Sequence, residues 1–138
     1  MIKLIKPTKV FKALADDTRL RIVNLFLKER SLCVCEIVDA LRIPQYQISK
    51  HLSVLRNAGL LDFEKRGTWA YYFIKIDEPL NRILFSFLGK YLKNEIFQQD
   101  IMALENRLIL RENGKCIVGL VSQGELLKMI KEKAGQVL

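Results

Sequence analysis

Histidine and cysteine are both scarce in this chain: of 138 residues, one is histidine and three are cysteine. The odd cysteine count, with Cys33 and Cys35 one residue apart, excludes the paired framework of a small secreted disulfide protein and points to reduced thiols. No apolar run reaches the roughly 18 residues of a membrane span. The most apolar stretch, 83–92, is interrupted by Ser86, Gly89 and Lys90. Residues 1–10 mix lysines with apolar residues and lack the continuous apolar segment of a secretory leader, so a cytoplasmic location without a membrane partner is expected. Acidic residues are in deficit too: 15 Asp and Glu stand against 23 Lys and Arg, for a formal charge of +8. Such an excess favours a polyanionic partner, nucleic acid or an anionic surface, although a merely soluble basic protein would read the same on charge alone. With one histidine and no Cys-X-X-Cys pair, a thiol enzyme such as a small reductase lacks its general base. No enzymatic activity is expected.

What is present is enough apolar sequence, 50% of the chain, for one packed domain and some surplus. The spacing divides it into residues 1–112 and a C-terminal extension, 113–138. Thr8 can cap a first helix carrying Val10, Phe11 and Leu14. Asp16, Asp17 or Thr18 can open a second, with Leu20, Val23 and Leu27 on a broad apolar face. Ser31 is a plausible cap for a short third helix running from Cys33 or Val34 to Leu41, which Arg42-Ile43-Pro44 breaks. A fourth, Gln45 to Asn57, has a thin apolar stripe of Ile48, Leu52 and Leu55, and Gly59 stops it. Leu60–Lys65 and Trp69–Ile76 then read as strands, joined by a turn at Arg66-Gly67-Thr68.

Two short helices joined by a tight turn, then a hairpin, form a winged helix-turn-helix pattern: mainly α with a β-hairpin wing. Beyond Pro79 a helical tract is predicted to about Glu112, with room for a break, followed by an apolar patch at 116–121 and a last helix to Lys133. Its apolar surplus, with that of the first helix, predicts a helical homodimer interface, or alternatively a seat for the last helix.

On the fourth helix, Gln45, Tyr46, Gln47, Ser49, Lys50 and Ser53 lie mostly away from the apolar stripe. Amides, hydroxyls and ammonium groups are the types that bond base edges and phosphates, although any solvated helix face would look similar. His51 flanks the stripe, either packing at the core edge or meeting a phosphate. Lys65 and Arg66 at the wing suit phosphate contacts. Residues 8–76 resemble the ArsR/SmtB family of winged-helix metal-responsive repressors, arsenic-type branch, through FKALADDTRLRI at 11–22, QISKHLSVLRNAGLL at 47–61 and KRGTWAYYFI at 65–74. The resemblance implies groove contacts by Gln45, Tyr46, Ser49 and Lys50, and a dimerisation helix after Pro79. Two-fold symmetry then predicts an inverted-repeat operator in double-stranded DNA.

Leu32-Cys33-Val34-Cys35-Glu36-Ile37 resembles the family's metal-binding box, which maps Cys33 and Cys35 onto its two thiol ligands. Thiolates are soft ligands, and a helix N-terminus favours the thiolate form. The resemblance therefore implies arsenite or antimonite as inducer, with other thiophilic ions open and no organic cofactor. On an ideal helix residues i and i+2 point about 200° apart and converge only at a frayed or non-helical first turn, so joint ligation is expected to distort the start of the third helix, and that distortion to act as the switch. Ile37 stands where some arsenic-type members carry another cysteine. Cys116 is the one remaining thiol: a third ligand, from either subunit, or simply a small buried apolar residue. Zinc is disfavoured, because it wants four ligands and 80–110 contains no histidine for the family's zinc site. Rival readings are a thiol redox sensor pairing Cys33 or Cys35 with Cys116, and a constitutive DNA-binding protein with packing cysteines only.

Overall fold

A computed structural model describes residues 6–137 of the chain. Helices α1 (Pro7–Leu14) and α2 (Asp17–Lys28) lead into a short strand β1 (Ser31–Cys33), then α3 (Val34–Leu41) and α4 (Gln45–Asn57). Strands β2 (Leu61–Arg66) and β3 (Trp69–Ile74) follow, then α5 (Pro79–Tyr91), α6 (Glu95–Leu108) and α7 (Gln123–Val137). The sheet is antiparallel in the order β1-β3-β2, with Cys33 opposite Tyr71 and Arg66 opposite Trp69.

Local chemistry explains most of the boundaries. Pro7 begins α1 after Lys6, so Thr8 lies inside that helix and does not cap it. Asp16 caps α2, its carboxylate accepting from the Arg19 N–H at 2.9 Å. Arg42 takes a left-handed conformation at the end of α3, and Pro44 starts α4 from an extended backbone. The wing turns at Gly67, whose φ of +64° is left-handed.

One expectation at the thiols is corrected, and another, after Pro79, is made definite. Ser31 does not cap α3: it opens β1, a strand too short to show a period, and Cys33 takes the cap position with φ −78° and ψ 155°. The tract after Pro79 takes the break its spacing left room for and is two helices. The first ends at Leu92, and Asn94 restarts the chain in an extended conformation with Glu95 in the first turn of α6.

One apolar core holds the reading elements together. Ile22, Leu25 and Phe26 of α2, Ile37 of α3, and Ile48, Leu52 and Leu55 of α4 are all fully buried. Helix α6 packs across α2 and α3, but its buried face is Asp100, Leu104 and Arg107, two of them charged. Arg21 of α2 holds Asp100 by paired contacts at 2.8 and 3.0 Å. Asn81 on α5 donates to the carbonyls of Gly59 and Lys75, tying α5 to both ends of the wing. The outer side of α5 leaves Ile83, Phe87 and Tyr91 exposed, the last two rings stacked at 4.6 Å, and Phe11 of α1 is exposed as well. Among the described residues no helix is long and apolar enough to cross a membrane.

Candidate metal centre and nucleic-acid interface

The three cysteines, with Cys35 and Cys116 81 residues apart in sequence, come together in a second, small buried cluster with Tyr71, against which Trp69 packs. Their Sγ atoms all lie within 4.8 Å of one another, and Cys35 and Cys116 are 3.5 Å apart. All three are free thiols and buried. Thiolates at about 2.3 Å from a shared ion stand about 4 Å apart, so the sulfurs fit one ion with small inward movements.

The conflict expected from the one-residue spacing does not arise. Cys33 ends β1 with strand geometry and only Cys35 lies inside α3, so the two side chains converge across a strand-to-helix junction. No helical turn has to distort for both to reach one ion.

Cys116 is delivered by local chain geometry after α6. Glu112 and Lys115 pair across a tight turn in which Asn113 and Gly114 both have positive φ, 53° and 73°. The pattern matches a two-residue hairpin connection, the conformation Asn-Gly favours. The Cys116 N–H donates to the Tyr71 hydroxyl at 2.8 Å, which fixes the tail to the wing strand opposite Cys33.

Buried ions surround the thiols. Glu36, fully buried, accepts from the Cys33 N–H at 2.9 Å and receives both Nε and Nη2 of Arg111 at 2.7 Å. Arg111 Nη2 also donates to the Ser31 carbonyl, so β1, α3 and the segment after α6 share one guanidinium. Arg107, 1% exposed, donates to Asp39 at 2.7 Å and to the Val118 carbonyl at 2.5 Å. Burial works against the charge on Arg107, but Asp39 and the nearby Cys35 and Cys116 hold it firmly protonated. Within the sulfur cluster, hydrogen bonding to Cys116 pushes the Cys33 and Cys35 thiols up. The same bonds pull Cys116 down, and Arg107 adds to that effect.

The DNA-facing residues named from sequence fall on two elements. Gln45, Tyr46, Gln47, Lys50 and Ser53 are exposed on α4, while Ser49 and His51 are half-buried. Arg19 Nη1 lies 3.3 Å from His51 Nδ1, so the histidine is held at the α2–α4 contact. On the wing, Lys65 is exposed. Arg66 is bonded to Glu64 and lies over the Tyr71 ring at 4.7 Å, turned back onto the strand. Sequence reasoning named every thiol but missed Tyr71, Glu36, Asp39, Arg107 and Arg111. The signal for Arg107 was its spacing, since 100, 104 and 107 share one face of α6, while Arg111 lies beyond that helix.

The fold and these elements define a winged helix-turn-helix DNA-binding protein, a transcriptional regulator and not an enzyme. Residues 16–62 match the model of the bacterial regulatory proteins of the arsR family. The chain is 43% identical over 84 residues to an uncharacterized HTH-type transcriptional regulator of Methanocaldococcus jannaschii, covering 61% of this chain and 93% of that protein. It is 46% identical over 79 residues to the arsenic resistance transcriptional regulator ArsR1 of Pseudomonas putida, covering 57% of this chain and 62% of that relative's length. A solved homodimeric winged helix-turn-helix DNA-binding domain from Mycobacterium bovis superposes with a TM-score of 0.53 at 25% identity, covering 70% of this chain and 94% of that one. The chain belongs to the arsR family.

Proposed function

We propose that this protein is a homodimeric repressor that leaves its operator when arsenite or antimonite is bound by Cys33, Cys35 and Cys116. The observation that carries the reading is the convergence of three buried sulfurs within 4.8 Å at the back of the wing. Arsenite fits that donor set. Three thiols replace its three hydroxyls, each S–As bond forming as an As–O bond breaks and water leaves, with no change of oxidation state. Three sulfurs leave zinc a ligand short, while cadmium or lead would release three protons instead. That a relative is named for arsenic resistance supports the same inducer.

Cys33 lies at the end of β1, register-paired with Tyr71 of the wing, and Cys35 lies in the first turn of α3. Drawing the sulfurs together therefore pulls on the wing and on the helix before α4 at once. In this reading residues 113–138 complete the sensor, and Gln45, Tyr46, Gln47, Ser49, Lys50, His51, Ser53, Lys65 and Arg66 face the DNA. The exposed stripe Ile83, Phe87 and Tyr91 on α5, with Phe11 on α1, supplies the dimer seam, and two-fold symmetry asks for an inverted-repeat operator.

The test is arsenite titration of the protein bound to a duplex selected from a random pool. Cys33→Ser/Cys35→Ser and Cys116→Ser should retain DNA at arsenite concentrations at least about 100-fold above those that release the wild type, a loss of about 2.7 kcal/mol. Release of all forms at one concentration removes the reading. A second reading has its own observation, the 3.5 Å between Cys35 and Cys116. Peroxide would take two electrons and two protons from that pair, forming a disulfide and two waters. Mass spectrometry after peroxide, beside DNA release without arsenite, separates the two.

A further inference from the structure

We infer that Arg107 is a positioning residue that couples occupancy of the three-thiol site to the DNA-reading helices, through the Val118 carbonyl and Asp39. The inference rests on the proposed sensing role of Cys33, Cys35 and Cys116.

The Val118 carbonyl is a shared acceptor. It receives Arg107 Nη2 at 2.5 Å, Cys35 Sγ at 3.6 Å and Cys116 Sγ at 3.5 Å. Arg107 also donates from Nε to Asp39, on the helix that precedes α4, and both side chains are nearly fully buried. Its remaining nitrogen, Nη1, is buried without a hydrogen-bond partner. A guanidinium with an unsatisfied donor inside a protein is held in a costly arrangement.

Ligation changes what the sulfurs can do. As S–H donors, Cys35 and Cys116 compete with Arg107 for Val118. Bonded to an ion, they carry no proton and only accept. The carbonyl then loses two donors, and sulfur acceptors become available beside a guanidinium that has a spare N–H. Arg107 turns toward the sulfurs, and Asp39, bonded to its Nε, is drawn with it. Asp39 lies in the last two turns of α3, close to the Arg42–Pro44 turn that sets the angle of α4. The site thus reaches the DNA-reading helix by rearranging an ion pair, independently of any unwinding at the first turn of α3.

Coupling is reciprocal: if the ion weakens DNA binding by some factor, DNA weakens ion binding by the same factor. Arsenite is titrated calorimetrically into free and DNA-bound protein. In the wild type the two dissociation constants should differ by about 100-fold, or about 2.7 kcal/mol. In Arg107→Lys and Asp39→Asn the two should fall within about 5-fold of each other, while arsenite still binds the free protein. Asp39→Asn keeps the size of the buried side chain and serves where Arg107→Lys does not fold. In the unaltered protein, the guanidinium NMR resonances of Arg107 should shift when arsenite is added. Full coupling in either folded variant, or stationary Arg107 resonances on a saturated site, overturns the inference. Absence of arsenite binding to the wild type instead removes the sensing role itself, a distinguishable failure.

Discussion

The two halves of this small protein are held by different physics. Around α2, α3 and α4 the contacts are aliphatic: Ile22, Leu25, Ile37, Ile48, Leu52 and Leu55 interlock with no polar atom among their side chains. Behind the wing, where α6 and the tail meet β1 and α3, the buried groups are thiols, a phenol, two carboxylates and two guanidiniums. Apolar packing is indifferent to the arrival of an ion. A network of donors and acceptors is not, because every deprotonation changes who can bond to whom. On the proposed sensing role, the chain separates the surface it presents to DNA from the place that registers a signal by the chemistry of their interiors.

The comparison can be broken most sharply at Arg111. Arg111→Leu strands Glu36, which is fully buried, so it should cost about 3–5 kcal/mol in urea unfolding. A loss under about 1 kcal/mol would mean that apolar contacts also hold the responsive half. In the reading half, Asp16→Ala removes the cap of α2 and a part-exposed 3.8 Å pair with Arg19, and should cost about 1 kcal/mol at neutral pH. Its pH dependence has a fixed sign. The Arg19 N–H holds the Asp16 carboxyl below the ordinary carboxylate range, so its contribution is present above the unfolded value, about 3.9, and is lost as pH falls through the lower folded value. Wild type and variant should therefore converge in stability in strong acid. Smallest of all, Lys28→Ala breaks the solvent-exposed pair with Glu105 and should move stability by less than about 0.5 kcal/mol, since both side chains are about half exposed.

The reading half was legible in the sequence because its information is local. A stripe at 48, 52 and 55, a proline before the helix and a glycine in the hairpin each act within a few residues. The thiols were legible as chemistry, by residue type and by the resemblance. Their convergence was not. It depends on β1, three residues long and too short to show a period, and on contacts between positions up to 83 residues apart. Asp39, Arg107 and Arg111 were hidden for another reason. A charged residue on an amphipathic helix ordinarily faces water, and only the arrival of a partner from α3 turns that expectation around. The break after Pro79 was allowed for, but its place at Leu92–Asn94 was hidden because the apolar spacing runs on through it while the backbone does not.

The Asn113–Gly114 turn has a consequence for how such proteins change over generations. It delivers the third sulfur from outside the DNA-reading domain, on a segment whose length and composition can drift without disturbing a residue that faces DNA. Replacing or relocating that one segment would give the same reader a different chemical appetite. On the proposed sensing role, the operator and the stimulus can then be inherited as partly separate traits, since one of the three sulfurs comes from the end of the chain and two from its middle.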